Sequence, residues 1–341
     1  MTNQKTGFRV AEFWANRKQY AFSYLSVLAF VLVYVIYALV YRSTILCAGV
    51  SGQCTTIPPI DEFVGSLVLS SQQASSALPL LSFSGRIGWS VSIGLSLFFI
   101  FVAFITATFI VARVRYLSRW SYPLPLIAAI VLGLFLADLP GVEGAPVSPW
   151  RQFIHTCMNA DFAYTESLTR LLDLSGLIVA IYLPISLSVY FSASIGRDDK
   201  WSQDLSSNVR VLSIALYVGA ALLITGIFRI WAILSWSLDY VDTGVLNHSQ
   251  QQILDSATMV AAGIVSSRGA LYTMLLASLY LPGVMFLSSR MREATSAGAL
   301  SETEQQKLDD MFTPRENLLR LAAILGPVLT GPAADYLSHL S

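Results

Sequence analysis

Two arginines, Arg229 and Arg268, stand inside long apolar runs of this 341-residue chain. A charge there is costly, and it marks either an ion or anion path or a structural anchor. Counting helical rise from the inner ends of their runs puts both near the outer boundary of a hydrocarbon core about 30 Å thick. At that depth they snorkel to headgroups or pair with a carboxylate at the same level, for which Asp138, Asp173 and Asp239 are the candidates. Trp231 and Trp236, next to Arg229, fit an interfacial aromatic belt and favour this shallow placement. The competing reading is a wall of an ion path.

Other chemistry-bearing residues are scattered. The three histidines, His155, His248 and His339, fall outside the apolar runs, so haem ligation between spans or a His-Glu zinc helix finds no partners. Serines within the apolar runs have no His or Lys beside them to act as base, and no Walker loop or dinucleotide fingerprint occurs. No catalytic, cofactor-binding or metal site is expected. Cys47 and Cys54 flank a short Gly-containing loop and are a candidate disulfide if that loop faces an oxidising compartment; the third cysteine, Cys157, is distant.

One more pattern concerns shape. Ala262, Ser266, Gly269, Ala270, Thr273 and Ala277 recur at helical spacing on one face of the last long apolar run. Small side chains let two backbones approach closely, and hydroxyls tolerate water better than Leu or Phe. The stripe is therefore either a helix-packing face or the wall of a pore.

The elements that must carry these residues follow from composition. Hydrophobic residues are 55% of the chain and charged residues 12%, against about 25% charged in an ordinary soluble domain. The expected fold is all-α and polytopic, with six spans near 21–40, 90–112, 123–138, 174–195, 210–236 and 255–290. Residues 1–20 form a cytoplasmic lead-in, 21–290 the transmembrane domain with a small extracellular cap, and 291–341 a cytoplasmic tail carrying an amphipathic helix. Arg42, Arg86, Arg151 and Arg170 are the only basic residues assigned outside the spans on the far side; apart from Arg229 and Arg268, the rest of the 21 Lys and Arg lie on the inner side. This bias places both termini in the cytoplasm. The sixth run, from Asp255 to Arg290, would be about 50 Å long as one helix and should project beyond the lipid.

In the tail, Thr313-Pro314-Arg315-Glu316 has the pattern of a capped helix start. Leu318, Leu321, Ala322 and Leu325 then follow at helical spacing. Gly326-Pro327 and Gly331-Pro332 read as two helix breaks that exclude a straight seventh span. The tail would lie on the inner surface, turn back within the membrane, or contact other copies, with Thr313, Pro314, Leu318, Leu321 and Leu325 as assembly or gating residues.

With a net charge of zero and no basic block, no nucleic-acid partner is indicated. The span centres look nearly free of charge, which weighs against a transporter. In general build the chain resembles membrane effectors of bacterial defence systems: a compact helical body with little soluble mass, the likeness being carried by no residue motif. The preferred expectation is an oligomeric pore or ion-channel-like protein of a bacterial inner membrane, with the bilayer and further copies of itself as partners. A secondary transporter of a small solute and a non-conducting scaffold or sensor are the alternatives.

Overall fold

The computed structural model describes residues 25, 27–36, 78–114, 123–137, 162–195, 201–238, 248–296, 306 and 313–338. Among these the chain is entirely helical. The helices are α1 (Val27–Ile36), α2 (Leu78–Ala112), α3 (Leu124–Ala137), α4 (Phe162–Ile195), α5 (Trp201–Leu238), α6 (His248–Ser296) and α7 (Pro314–Ser338). The candidate disulfide Cys47–Cys54, His155, His339, Asp138, Asp239 and most of the expected extracellular cap lie outside the described residues.

Among the described residues, four helices are long and apolar enough to cross a bilayer, over Ile87–Ala112, Ser167–Ser192, Ser207–Ser235 and Ala261–Arg292. Two shorter apolar helices, Val27–Ile36 and Leu124–Ala137, occupy the other expected spans. Large apolar side chains also face outward around the bundle, among them Phe98, Phe101, Phe135, Leu171, Met274 and Met285. Water would disfavour such a surface, whereas acyl chains solvate it. The chain is a multi-pass helical membrane protein.

Helix α5 is the hub, packing against α2, α4, α6 and α7, while α3 lies against α4. Neighbouring contacts fix the directions. Gly283 of α6 sits at Leu212 of α5, Gly219 of α5 at Leu276 and Leu279, and Gly226 of α5 at Tyr272, so α5 and α6 are antiparallel. Phe104 of α2 stacks beside Tyr182 of α4 at 5.9 Å, and Ile100 lies beside Gly176, so α2 and α4 run parallel. One continuous core joins all of them, and it includes Phe30 and Tyr34 of α1.

The glycines at the crossings are places where bulk has no room. A Cβ on Gly133 of α3 would stand 2.7 Å from Ile178 Cγ1, and one on Gly283 would stand 2.9 Å from Leu212 Cδ1. Replacing lipid by protein gives helices little hydrophobic gain, so close backbone packing at small residues holds such bundles together.

Three expectations change. The charged segment Gly196–Val209 reads as a loop, yet α5 already begins at Trp201. Its residues Leu205, Asn208, Val209 and Leu212 are all buried, so the three-to-four spacing of the buried stripe continues upstream of the apolar run and extends the helix. The sixth helix is also longer than Asp255–Arg290, running from His248 to Ser296 without interruption at Pro282. Finally, α7 runs through both Gly-Pro pairs as one helix of 25 residues. The expected breaks are overturned: around the first pair the helix is packed between α5, which meets Gly326 at Ile224, and α6, which meets Pro327 at Gly269, and such packing offsets the local cost of a proline.

Leu205 is 1% exposed and Leu318 is 67% exposed. Leu205→Ala should therefore destabilise the protein by about 2–5 kcal/mol through the cavity it leaves, whereas Leu318→Ala should be close to neutral; thermal or denaturant unfolding in a fixed detergent measures both.

Candidate functional site

The small-residue stripe and the tail helix meet. Gly269 of α6 is buried against the backbone of α7, where a Cβ would stand 2.6 Å from the carbonyl oxygen of Pro327 and 3.1 Å from Cα of Val328. One turn further along α6, the hydroxyl of Thr273 accepts a hydrogen bond from the backbone N–H of Val328 at 3.2 Å. On the other flank of α7, Gly326 faces Ile224 of α5. The remaining stripe residues diverge: Ala262, Ala270 and Ala277 are half-buried, and Ser266 is exposed. Gly263, just off the stripe, has open space where a Cβ would go.

Thr313 caps α7 as its sequence suggests. Its hydroxyl accepts from the N–H of Glu316 at 3.4 Å, and its carbonyl accepts from Asn317 at 3.0 Å. Pro314 opens the first turn, where its missing N–H leaves no bond unmade. Within the helix, the Thr330 hydroxyl donates to the Gly326 carbonyl at 2.8 Å. Leu318, Leu321 and Leu325 point away from the bundle, together with Leu329.

The buried face of α7 carries Arg320, only 5% exposed. Its guanidinium donates to Asn317 Oδ1 at 3.3 Å and to the hydroxyl of Tyr280 on α6, with Tyr217 of α5 beside them. Tyr280 lies in the apolar stretch Ala261–Arg292, roughly 5 Å along the axis from its middle at ~1.5 Å per residue. The span centres are therefore not free of charge: a cation from the tail is inserted near the middle of the sixth helix. Sequence reading assigned Arg320 to a cytoplasmic segment. The available signal was its place on the same face as Asn317, Ile324 and Pro327, opposite the leucines.

Arg229 is also buried, and it makes an ion pair and hydrogen bond with Asp173 of α4, one of the three carboxylates reached by counting rise. Each residue is about 9 Å, at ~1.5 Å per residue, inside one end of its apolar stretch, Ser207–Ser235 for Arg229 and Ser167–Ser192 for Asp173. The side chain of Asp173 is about half exposed at the surface of the bundle, whereas that of Arg229 is buried. Arg268 is half-buried on α6, one position before Gly269 and so beside the seam. Trp231 stacks on Phe228 with ring centroids 5.4 Å apart. His248 opens α6 and is exposed. Among the described residues no group of three His, Cys, Asp or Glu side chains could hold a metal ion.

These contacts make two polar locks in an apolar bundle. Arg229–Asp173 ties α5 to α4, and Arg320 with Thr273 ties α7 to α6. Both sets of contacts hold neighbouring helices in register.

Asp173→Ala and Arg229→Ala should each destabilise by about 1–3 kcal/mol, moderated by the exposure of Asp173, and the double variant should cost less than their sum. Gly269→Ala should cost about 1–3 kcal/mol because the added methyl group displaces α7, and Thr273→Val about 1 kcal/mol. Gly263→Ala, with open space around it, should be neutral or slightly stabilising. Unfolding midpoints of the five purified single variants and the double variant test these values. Comparison of the chain with protein-family models, with curated proteins and with solved structures finds no match.

Proposed function

We propose that this chain is an oligomeric, channel-like protein of a bacterial plasma membrane. The observation that carries the reading is the free flank of α6. Within the apolar stretch Ala261–Arg292, Gly263, Ser266 and Ser267 are exposed on the outside of the protomer. Leucine and phenylalanine serve a lipid-facing position better than two hydroxyls and a glycine do. The Ser267 hydroxyl already donates to the Ile264 carbonyl at 2.9 Å, so this flank closes equally well on a neighbouring helix or on water.

In this reading α7 is the assembly or gating element. It braces α6 at Gly269 and Thr273, and its outward leucines Leu318, Leu321 and Leu325 are the surface another copy or the lipid would meet. Pore formation of this kind is also what a bacterial membrane effector would need.

A secondary transporter is the second reading, favoured by one observation. Arg320 is buried close to the middle of a membrane-length stretch, and the helix that carries it contains two Gly-Pro pairs. Transporters place ionisable groups and irregular helices at that depth.

Single cysteines at Gly263, Ser266 and Ser267, with Leu281 and Met285 as apolar controls on the same helix, separate the two readings. A channel predicts that a water-soluble thiol reagent reacts at the first three positions and not at the controls, and that reaction blocks the current of reconstituted protein. Protection of all five, or a monomer in detergent at every concentration, removes the channel. Saturable solute flux from such monomers, lost in Arg320→Gln, would establish the transporter.

A further inference from the structure

We propose that α7 is itself a membrane-crossing helix, so that the residues before and after it emerge on opposite faces of the bilayer. Its position along α6 comes from three contacts. Arg320 reaches Tyr280, Val328 bonds to Thr273, and Pro327 touches Gly269. As numbers rise on α7 they fall on α6, which is an antiparallel pair lying side by side. Helix α7 therefore shares the depth of Ala261–Arg292, whatever that depth is. A helix resting on the inner surface would instead cross α6 near its end.

Length agrees with this placement. Twenty-five residues make about 37 Å at ~1.5 Å per residue, more than the roughly 30 Å of hydrocarbon. From Val328 to Ser338 the helix continues for roughly 15 Å, which carries its end to the level where the apolar stretch of α6 begins at Ala261. A hairpin that turned back would have to reverse at a Gly-Pro pair, and the helix passes straight through both.

The two faces of α7 are those of a lipid-embedded helix. Leu318, Leu321, Leu325 and Leu329 look outward over the depth at which Met274, Leu281 and Met285 of α6 are exposed in the same way. The outward leucines thus continue an apolar belt, and acyl chains are the occupant that fits it. The polar and irregular part faces protein. Arg320 is directed to Tyr280 and Asn317, and the backbone N–H of Val328, next to Pro327, has the Thr273 hydroxyl as acceptor. Irregular backbone is tolerated in a membrane where protein covers it.

The test uses the full chain with Cys47, Cys54 and Cys157 replaced by serine, carrying a single cysteine as Ser296→Cys or Ser338→Cys. Sealed vesicles of both orientations are treated with a membrane-impermeant maleimide. A crossing helix predicts that the two positions label from opposite faces, each losing its signal when the vesicle is inverted. Labelling of both from the same face would overturn the proposal. So would a Ser338→Cys variant that labels from neither face until detergent is added, since the helix would then end within the apolar layer. If the cysteine-free chain does not fold, epitopes inserted after Ser301 and after Ser341 in the native sequence give the same decision by antibody access from each side.

Discussion

Between Gly269 and the carbonyl of Pro327 there is no room for anything larger than hydrogen. That contact sets how closely α6 and α7 approach, and the other features of the seam require the closeness. The Thr273 hydroxyl is short and reaches a backbone N–H only when the two helices nearly touch. The Arg320 guanidinium can stay buried because Tyr280 and Asn317 stand within its reach. A pair of helices held at ordinary leucine-to-leucine distance would leave both groups stranded in an apolar setting, at a cost of about 1–3 kcal/mol for the amide and more for the charge. Small residues here are the condition for polar ones.

The same logic places α5 at the centre. Its glycines admit neighbours from two sides, Gly219 accepting leucines of α4 and α6 and Gly226 accepting the ring of Tyr272. Its one buried cation is answered from α4. Polar bonds thus sit on two helices that flank the hub, near one end of the apolar stretch on α4 and near the middle on α7. Dispersion and close packing supply most of the rest, as expected where lipid offers apolar groups nearly as good a home as protein does.

Much of this was legible in the residues, for a simple reason. Runs without charge announce helices of membrane length, and a charge inside such a run announces a need for a partner at the same height. That is how Asp173 enters the short set of candidates for Arg229, and how Gly269 and Thr273 enter a stripe. Two things were obscured by reading each segment alone. The charges of Asp198, Asp199, Lys200 and Asp204 mask the buried spacing of Leu205, Asn208 and Val209, so the start of α5 passes for a loop. In the tail, the regular spacing of the leucines draws attention to them as an assembly face, yet they stand exposed. The face with Asn317, Arg320 and the Gly-Pro pair is the one that packs. Proline counts as a breaker only until neighbouring helices supply what its ring removes, and nothing within residues 314–338 states that α5 and α6 will be there.

The order in which the chain is made gives the seam a history. Thr273 and Val328 are 55 positions apart, so at about 5–20 residues per second a ribosome needs roughly 3–10 s to deliver the second after the first. For that interval the groove on α6 is built and vacant. Every nascent copy offers the same groove and every finished copy carries the same matching helix, so a helix donated by a neighbour would bury the same contacts as the chain's own. Pairing within one chain rests on tethering, which keeps the cognate helix near at an effective concentration that a dilute neighbour does not match; crowding many ribosomes onto one patch of membrane erodes that advantage.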